Sequence, residues 1–95
     1  MENKTEAIIN LVITIDPVPS GGGNAYIDGK KVLGGRGTIK YPVQNGLHQA
    51  SFDFAGNAGE SYRLLIKKEQ GPVLWDANGT LPQQGTTTGQ NNIQV

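Results

Sequence analysis

Ile9-Asn10-Leu11-Val12-Ile13-Thr14-Ile15 decides the fold class. Ile9, Leu11, Ile13 and Ile15 share one parity, and Asn10 and Thr14 fall on the other. Side chains of an extended chain point alternately to opposite faces, so this stretch reads as a strand with one face on a core and one in water. The β-branched residues that dominate it lose rotamer freedom in a helix and fit a pleated surface. A helical reading is left with at most one turn over Lys4 to Leu11. Pro17 and Pro19 end the strand, because proline has no N–H to give to a ladder.

The same alternation recurs downstream. Ala25 to Asp28 reads as a short strand, and Asp28-Gly29 as a tight turn into Lys30 to Leu33. Thr38 to Val43 sets Ile39, Tyr41 and Val43 on one face, and Pro42 suggests an edge strand or a bulge. Asn45-Gly46 is the strongest hairpin signal in the chain. It is followed by Leu47 to Phe54, with Ala50, Phe52 and Phe54 inward. Tyr62, Leu64 and Ile66 form the next inner face, with Arg63 and Lys67 outside. Val73 to Trp75 is a short apolar strand, and Asn78-Gly79 reads as another turn pair. Ser20 to Asn24, the Gly34–Thr38 stretch and Ala55 to Glu60 read as flexible loops. Pro82 to Asn92, rich in Gln, Gly and Thr, is expected to be a flexible segment, with Ile93 and Val95 either rejoining a sheet edge or fraying. Six to eight short strands at this spacing predict an all-β fold, a sandwich or a small barrel. We expect a small two-sheet antiparallel β-sandwich, immunoglobulin-like, as a single domain over residues 1–95.

Composition agrees with one modest domain. Leu, Ile, Val and Phe make up about a quarter of the 95 residues, enough to escape the disordered class. The formal net charge of +0 removes the surplus of Lys and Arg that a phosphate backbone requires, so nucleic acid is not expected as a partner. Lys30-Lys31 and Lys67-Lys68 read as solvated pairs. With no cysteine, disulfides and thiolate metal sites are excluded. The apolar run Ala7 to Ile15 is too short and too interrupted for a signal peptide or membrane span, so membrane insertion is not expected and the compartment is left open.

From about Val12 to Lys68 the chain resembles PEGA-type β-sandwich domains. Ile15-Asp16-Pro17, Tyr26-Ile27-Asp28-Gly29-Lys30 and Asn45-Gly46-Leu47-His48 carry the resemblance. Gly34-Gly35-Arg36-Gly37-Thr38 lacks the proline of that pattern, and its closing Gly-Tyr is spread over Gly59 to Tyr62. The resemblance implies a small non-enzymatic sandwich, often an accessory module at the cell envelope. It transfers no catalytic residue.

Candidate chemistry is sparse. His48 is the only histidine, so a transition metal would find one nitrogen ligand; no metal or other cofactor is expected. Ser51 lies three residues on and on the opposite face, which fails a triad. None of the carboxylates, Glu2, Glu6, Asp16, Asp28, Asp53, Glu60, Glu69 and Asp76, has surroundings that would raise its pKa for acid catalysis. Gly35, Arg36 and Gly37 have the composition of an anion nest but lack the nucleotide-loop ending. Trp75, Asp76 and Asn78 are residue types that grip a sugar, the ring stacking and the carboxylate and amide taking hydroxyls; Tyr26 or Tyr41 would add a second stacking face. Against that stands Trp75 as a core indole beside a closing turn. Asp76 and Asn78 fall short of a calcium loop. Asn3-Lys4-Thr5 and Asn78-Gly79-Thr80 match the glycosylation acceptor pattern. The sequence therefore favours a non-catalytic binding or assembly module acting through loops and edge strands. Its expected partner is a protein or a second copy, with a lectin-like module as the alternative and a minimal glycosidase or lyase as a remote one.

Overall fold

The computed structural model describes residues 7–95. Asn3-Lys4-Thr5, Glu2, Glu6 and the first half of the Lys4–Leu11 turn lie outside the described residues. Eight strands follow one another: β1 (Ile8–Ile15), β2 (Gly23–Ile27), β3 (Lys30–Gly34), β4 (Gly37–Gln44), β5 (Leu47–Ala55), β6 (Ser61–Lys68), β7 (Val73–Thr80) and β8 (Thr86–Gln94). They form two antiparallel four-stranded sheets, ordered β4-β1-β6-β7 and β3-β2-β5-β8, packed face to face. The expected two-sheet antiparallel sandwich is what forms, with β1 and β2 in different sheets. No helix among the described residues is long and apolar enough to cross a membrane.

The inward parities meet across the layer. Leu11, Ile13, Ile15, Leu64 and Ile66 from the first sheet face Ala25, Ile27, Ala50, Phe52, Phe54 and Ile93 from the second, and all are buried. Phe54 stacks on Tyr62 with ring centroids 4.9 Å apart and planes at 27°. Phe52 reaches Trp75 at 5.4 Å. Such offset aromatic contacts add to plain area burial. Among the described residues no buried side-chain nitrogen or oxygen lacks a partner.

Turn chemistry is right in one place and misleading in two. Asp28 and Gly29 take φ values of 51° and 81°, the two positive angles of a type I′ turn, and join β2 to β3. Asn45-Gly46 is not a hairpin. Asn45 does not adopt positive φ, and the pair carries the chain from one sheet to the other, since β4 pairs with β1 and β5 with β2 and β8. Asn45 donates its N–H to the Ala7 carbonyl, and Gly46 exchanges both main-chain bonds with Val95. These distant partners override the local signal. Asn78-Gly79 is not a turn either, but the extended continuation of β7, which runs to Thr80 rather than stopping at Trp75. A Cβ at 79 would lie 2.9 Å from the Tyr62 hydroxyl oxygen, so any larger residue there requires the tyrosine side chain to shift.

The segment read as loosely ordered, Pro82 to Asn92, contains most of β8, which pairs with β5 over nine consecutive residues without a register shift. Its polar side chains hid a strand whose order comes from the ladder and from the buried Ile93, which joins the sheet edge rather than fraying. The loop at Ser20–Gly22 is also tied down: Gly21 donates to Ala55, Gly22 to Pro19, and Ala55 returns a bond to Gly22.

Truncating Phe54 to alanine should lower the unfolding free energy by about 3–5 kcal/mol, because the cavity opens between two rigid sheets. Gly89→Ala should cost about 1–3 kcal/mol by overpacking, since its Cβ would sit 2.6 Å from Phe52 Cζ. Urea unfolding curves at constant slope measure both.

Candidate functional site

β7 separates the residues read as a sugar site. Trp75 and Ala77 share the inward parity, and the indole packs against the core beside Phe52. Asp76 and Asn78 are on the outer face, where Arg63 Nε and Nη2 donate to the two Asp76 carboxylate oxygens at 2.9 and 2.8 Å, and Asn78 Nδ2 donates to Oδ1 at 3.1 Å. The Arg63 fork holds the Asp76 carboxyl below its ordinary range, with Asn78 adding to it. Tyr41 points inward from β4, and Tyr26 lies on the outer face of the other sheet. Of the five residues, the fold brings together only Asp76 and Asn78, and adds Arg63. Reading Asn78-Gly79 as a turn concealed this; a strand through residue 80 puts positions 75 and 76 on opposite faces.

The glycine-rich connection between β3 and β4 is a two-residue link, Gly35-Arg36. The Gly35 N–H is already given to the Gly23 carbonyl at 2.8 Å, so one of the amides that a nest would aim at an anion is occupied. Arg36 is exposed, and Gly37 opens β4.

Two polar clusters were not legible in the sequence. His48 lies at the end of the sandwich with its side chain 15% exposed. Its Nδ1 is 2.6 Å from Asp28 Oδ2, and its Nε2 is 2.7 Å from the Gln44 carbonyl oxygen. Both neighbours are acceptors, so the ring satisfies both by carrying two protons. Asp28 Oδ1 also accepts the Gln49 N–H at 3.0 Å. The Asp28 carboxylate, then the Gln44 carbonyl, raises the His48 pKa. The Gln49 amide, then His48, lowers that of Asp28. The His48–Asp28 pair has the geometry of a base and its orienting carboxylate, but the other ring nitrogen meets a backbone carbonyl where a catalytic hydroxyl would have to sit.

The second cluster lies on the outer face of the β3-β2-β5-β8 sheet. Asp53 accepts from Asn24 Nδ2 at 2.9 Å and from the Tyr26 hydroxyl at 2.7 Å. Asp53, chiefly by accepting that hydroxyl, raises the Tyr26 pKa. Both clusters depend on β2 pairing with β5, a long-range register that no local motif announces. Among the described residues there are shallow grooves of 310 to 520 Å³, one of them lined by Pro17, Tyr62, Arg63 and Asn78 among others. Among the described residues, no group of three or more His, Asp or Glu is arranged to hold a metal.

What the fold does present is main chain. β3 and β4 form one lateral side of the sandwich, β7 and β8 the other. The first side is protected: β3 has five residues and carries Lys30 and Lys31, and β4 carries Lys40 and Pro42. On the second side, β7 carries Asp76 and a register shift near its start. β8 has nine residues with no charge, no proline and no register shift. Comparison of the chain with protein-family models, curated proteins and solved structures found no match.

The His48–Asp28 bridge makes stability pH-dependent with a definite sign. His48 has a folded-state pKa above its ordinary 6.5, so its contribution is complete below that value and disappears as pH rises through the higher one. Asp28 has a folded-state pKa below 3.8, so its contribution is present above 3.8 and disappears as pH falls through the lower one. Unfolding free energy should therefore decline between about pH 5.5 and about pH 8.5. His48→Gln should flatten that decline, as read by urea denaturation at the two pH values.

Proposed function

We propose that the chain is a non-catalytic binding and assembly module whose contact surface is the free edge of β8. One observation carries this reading: two of the four sheet edges are blunted by lysine, proline or shortness, and the longest edge is not. An extended segment laid along such an edge gains regular main-chain bonds, and outward side chains add selectivity. The engagement of both His48 nitrogens within the fold and the dispersal of the carboxylates support a role without turnover.

The carbohydrate alternative moves from Trp75 to the outer face of the second sheet. There Tyr26, Asn24 and Asp53 sit together beside Ser51 and Thr88 on a flat surface, which favours it as a second reading. A Tyr26→Ala variant that loses oligosaccharide binding in an NMR titration would support it.

Peptides selected from a random extended library should protect the amides of Thr88, Gln90 and Asn92 from hydrogen exchange. Selected peptides that protect only the 17–22 or 56–60 loops, or a measurable hydrolytic turnover lost on Asp28→Asn, would overturn the assembly reading.

A further inference from the structure

The exposed backbone groups of β8 can be assigned residue by residue. Gly46 and Val95 exchange both main-chain bonds, at 2.9 and 2.8 Å, and the same register continues from Leu47↔Gln94 to Ala55↔Thr86. In an antiparallel ladder, residues bonded to the partner strand alternate with residues whose N–H and C=O point the other way. Ile93, Asn91, Gly89 and Thr87 therefore face β5. Gln94, Asn92, Gln90, Thr88 and Thr86 direct their main-chain groups away from the sheet. Among the described residues, β8 pairs with β5 alone.

We infer that a second copy of this chain occupies that edge, β8 against β8 in antiparallel register about a two-fold axis at Gln90, joining two sheets into one of eight strands. This rests on the assembly reading above and names its partner. Three observations select the second copy. First, Gln90 is the middle residue of Thr86–Gln94, so the axis there uses every outward-facing backbone group, Thr88 meeting Asn92 and Thr86 meeting Gln94 of the other copy. About ten main-chain bonds result, two for each such pair. Second, the facing side chains are all uncharged hydrogen-bonding groups, and the chain has a formal net charge of +0, so neither local nor overall repulsion opposes the approach. Third, the opposite edge of the same sheet is β3, short and bearing Lys30 and Lys31, which disfavours head-to-tail addition and leaves a closed two-fold pair rather than a filament.

The test is sedimentation velocity on the whole chain from about 1 to about 500 μM, the range in which a single strand pairing of modest area is resolved. The wild-type chain should pass from monomer to dimer within it. Gln90→Lys and Gln90→Glu each set like charges opposite one another across the axis, and each should weaken association about tenfold or more. An equimolar mixture of the two should recover the dimer as a mixed pair, which only a two-fold contact at this residue predicts. Asn78→Lys, on the neighbouring edge β7, should leave association unchanged. A wild-type chain that stays monomeric throughout overturns the inference, as does a dimer indifferent to both Gln90 substitutions or one dissolved by Asn78→Lys instead. Peptide protection of β8 in a strictly monomeric chain would sink self-pairing while leaving the assembly reading intact; absence of both would sink the two together.

Discussion

The stack of Phe54 on Tyr62 joins the two layers, and much of the remaining architecture follows from it. Phe54 comes from the inner face of β5, the strand that supports both β2 and β8. Tyr62 comes from β6, which supports β1 and β7. The ring that reaches Phe54 also brings its hydroxyl against residue 79, where glycine leaves it room. β7 stays extended to Thr80, and its register with β6 sets Trp75 opposite Ile66, inward onto Phe52 rather than outward beside Asp76. That register decides where the indole goes, and with it whether residues 75, 76 and 78 can act together.

The core and the layer class were readable because burial is written in parity. Leu11, Ile13, Ile15, Ala50, Phe52, Phe54, Leu64 and Ile66 were assigned inward by alternation, and all are buried. The errors concern partners. Asn45-Gly46 and Asn78-Gly79 share the Asn-Gly dipeptide of tight turns, yet neither closes a hairpin. Val95 and Ala7 claim the first, and Tyr62 shapes the second. β8 was missed because its signal is one of register: a polar strand becomes visible only when β5 lies alongside it. The polar clusters around His48 and Asp53 were illegible for the same reason, since each joins residues 20 to 29 positions apart.

Among the described residues most carboxylates are engaged within the fold, while Lys30, Lys31, Arg36, Lys67 and Lys68 form no salt bridge. Arg63 forks onto Asp76, Lys40 reaches Glu69 at 2.6 Å, and Glu60 gathers the Ser20 and Asn57 amides and the Ser20 hydroxyl. Exposed pairs of this kind contribute little to stability. Their effect is on the local field: each paired charge is cancelled by its neighbour. An edge without charge is left with main chain and neutral hydrogen-bonding groups to offer.

β8 supplies such groups, and its composition has a cause within the core. The Phe52 ring lies under Gly89, and a side chain there would collide with it, so this inward position cannot carry the large apolar residue that the other strands place inward. With Thr87 half-buried and Asn91 exposed, only Ile93 at the far end anchors β8 by burial. The strand is held mainly by its ladder to β5. A lysine at any of the outward positions Thr86, Thr88, Gln90 or Asn92 would leave that ladder intact, as Lys31 and Lys40 do on the opposite side of the sandwich. Neutrality along β8 is thus not imposed by packing. It is a property of the edge itself, and it leaves open to other chains the one long ladder face that the fold could have closed at little structural cost.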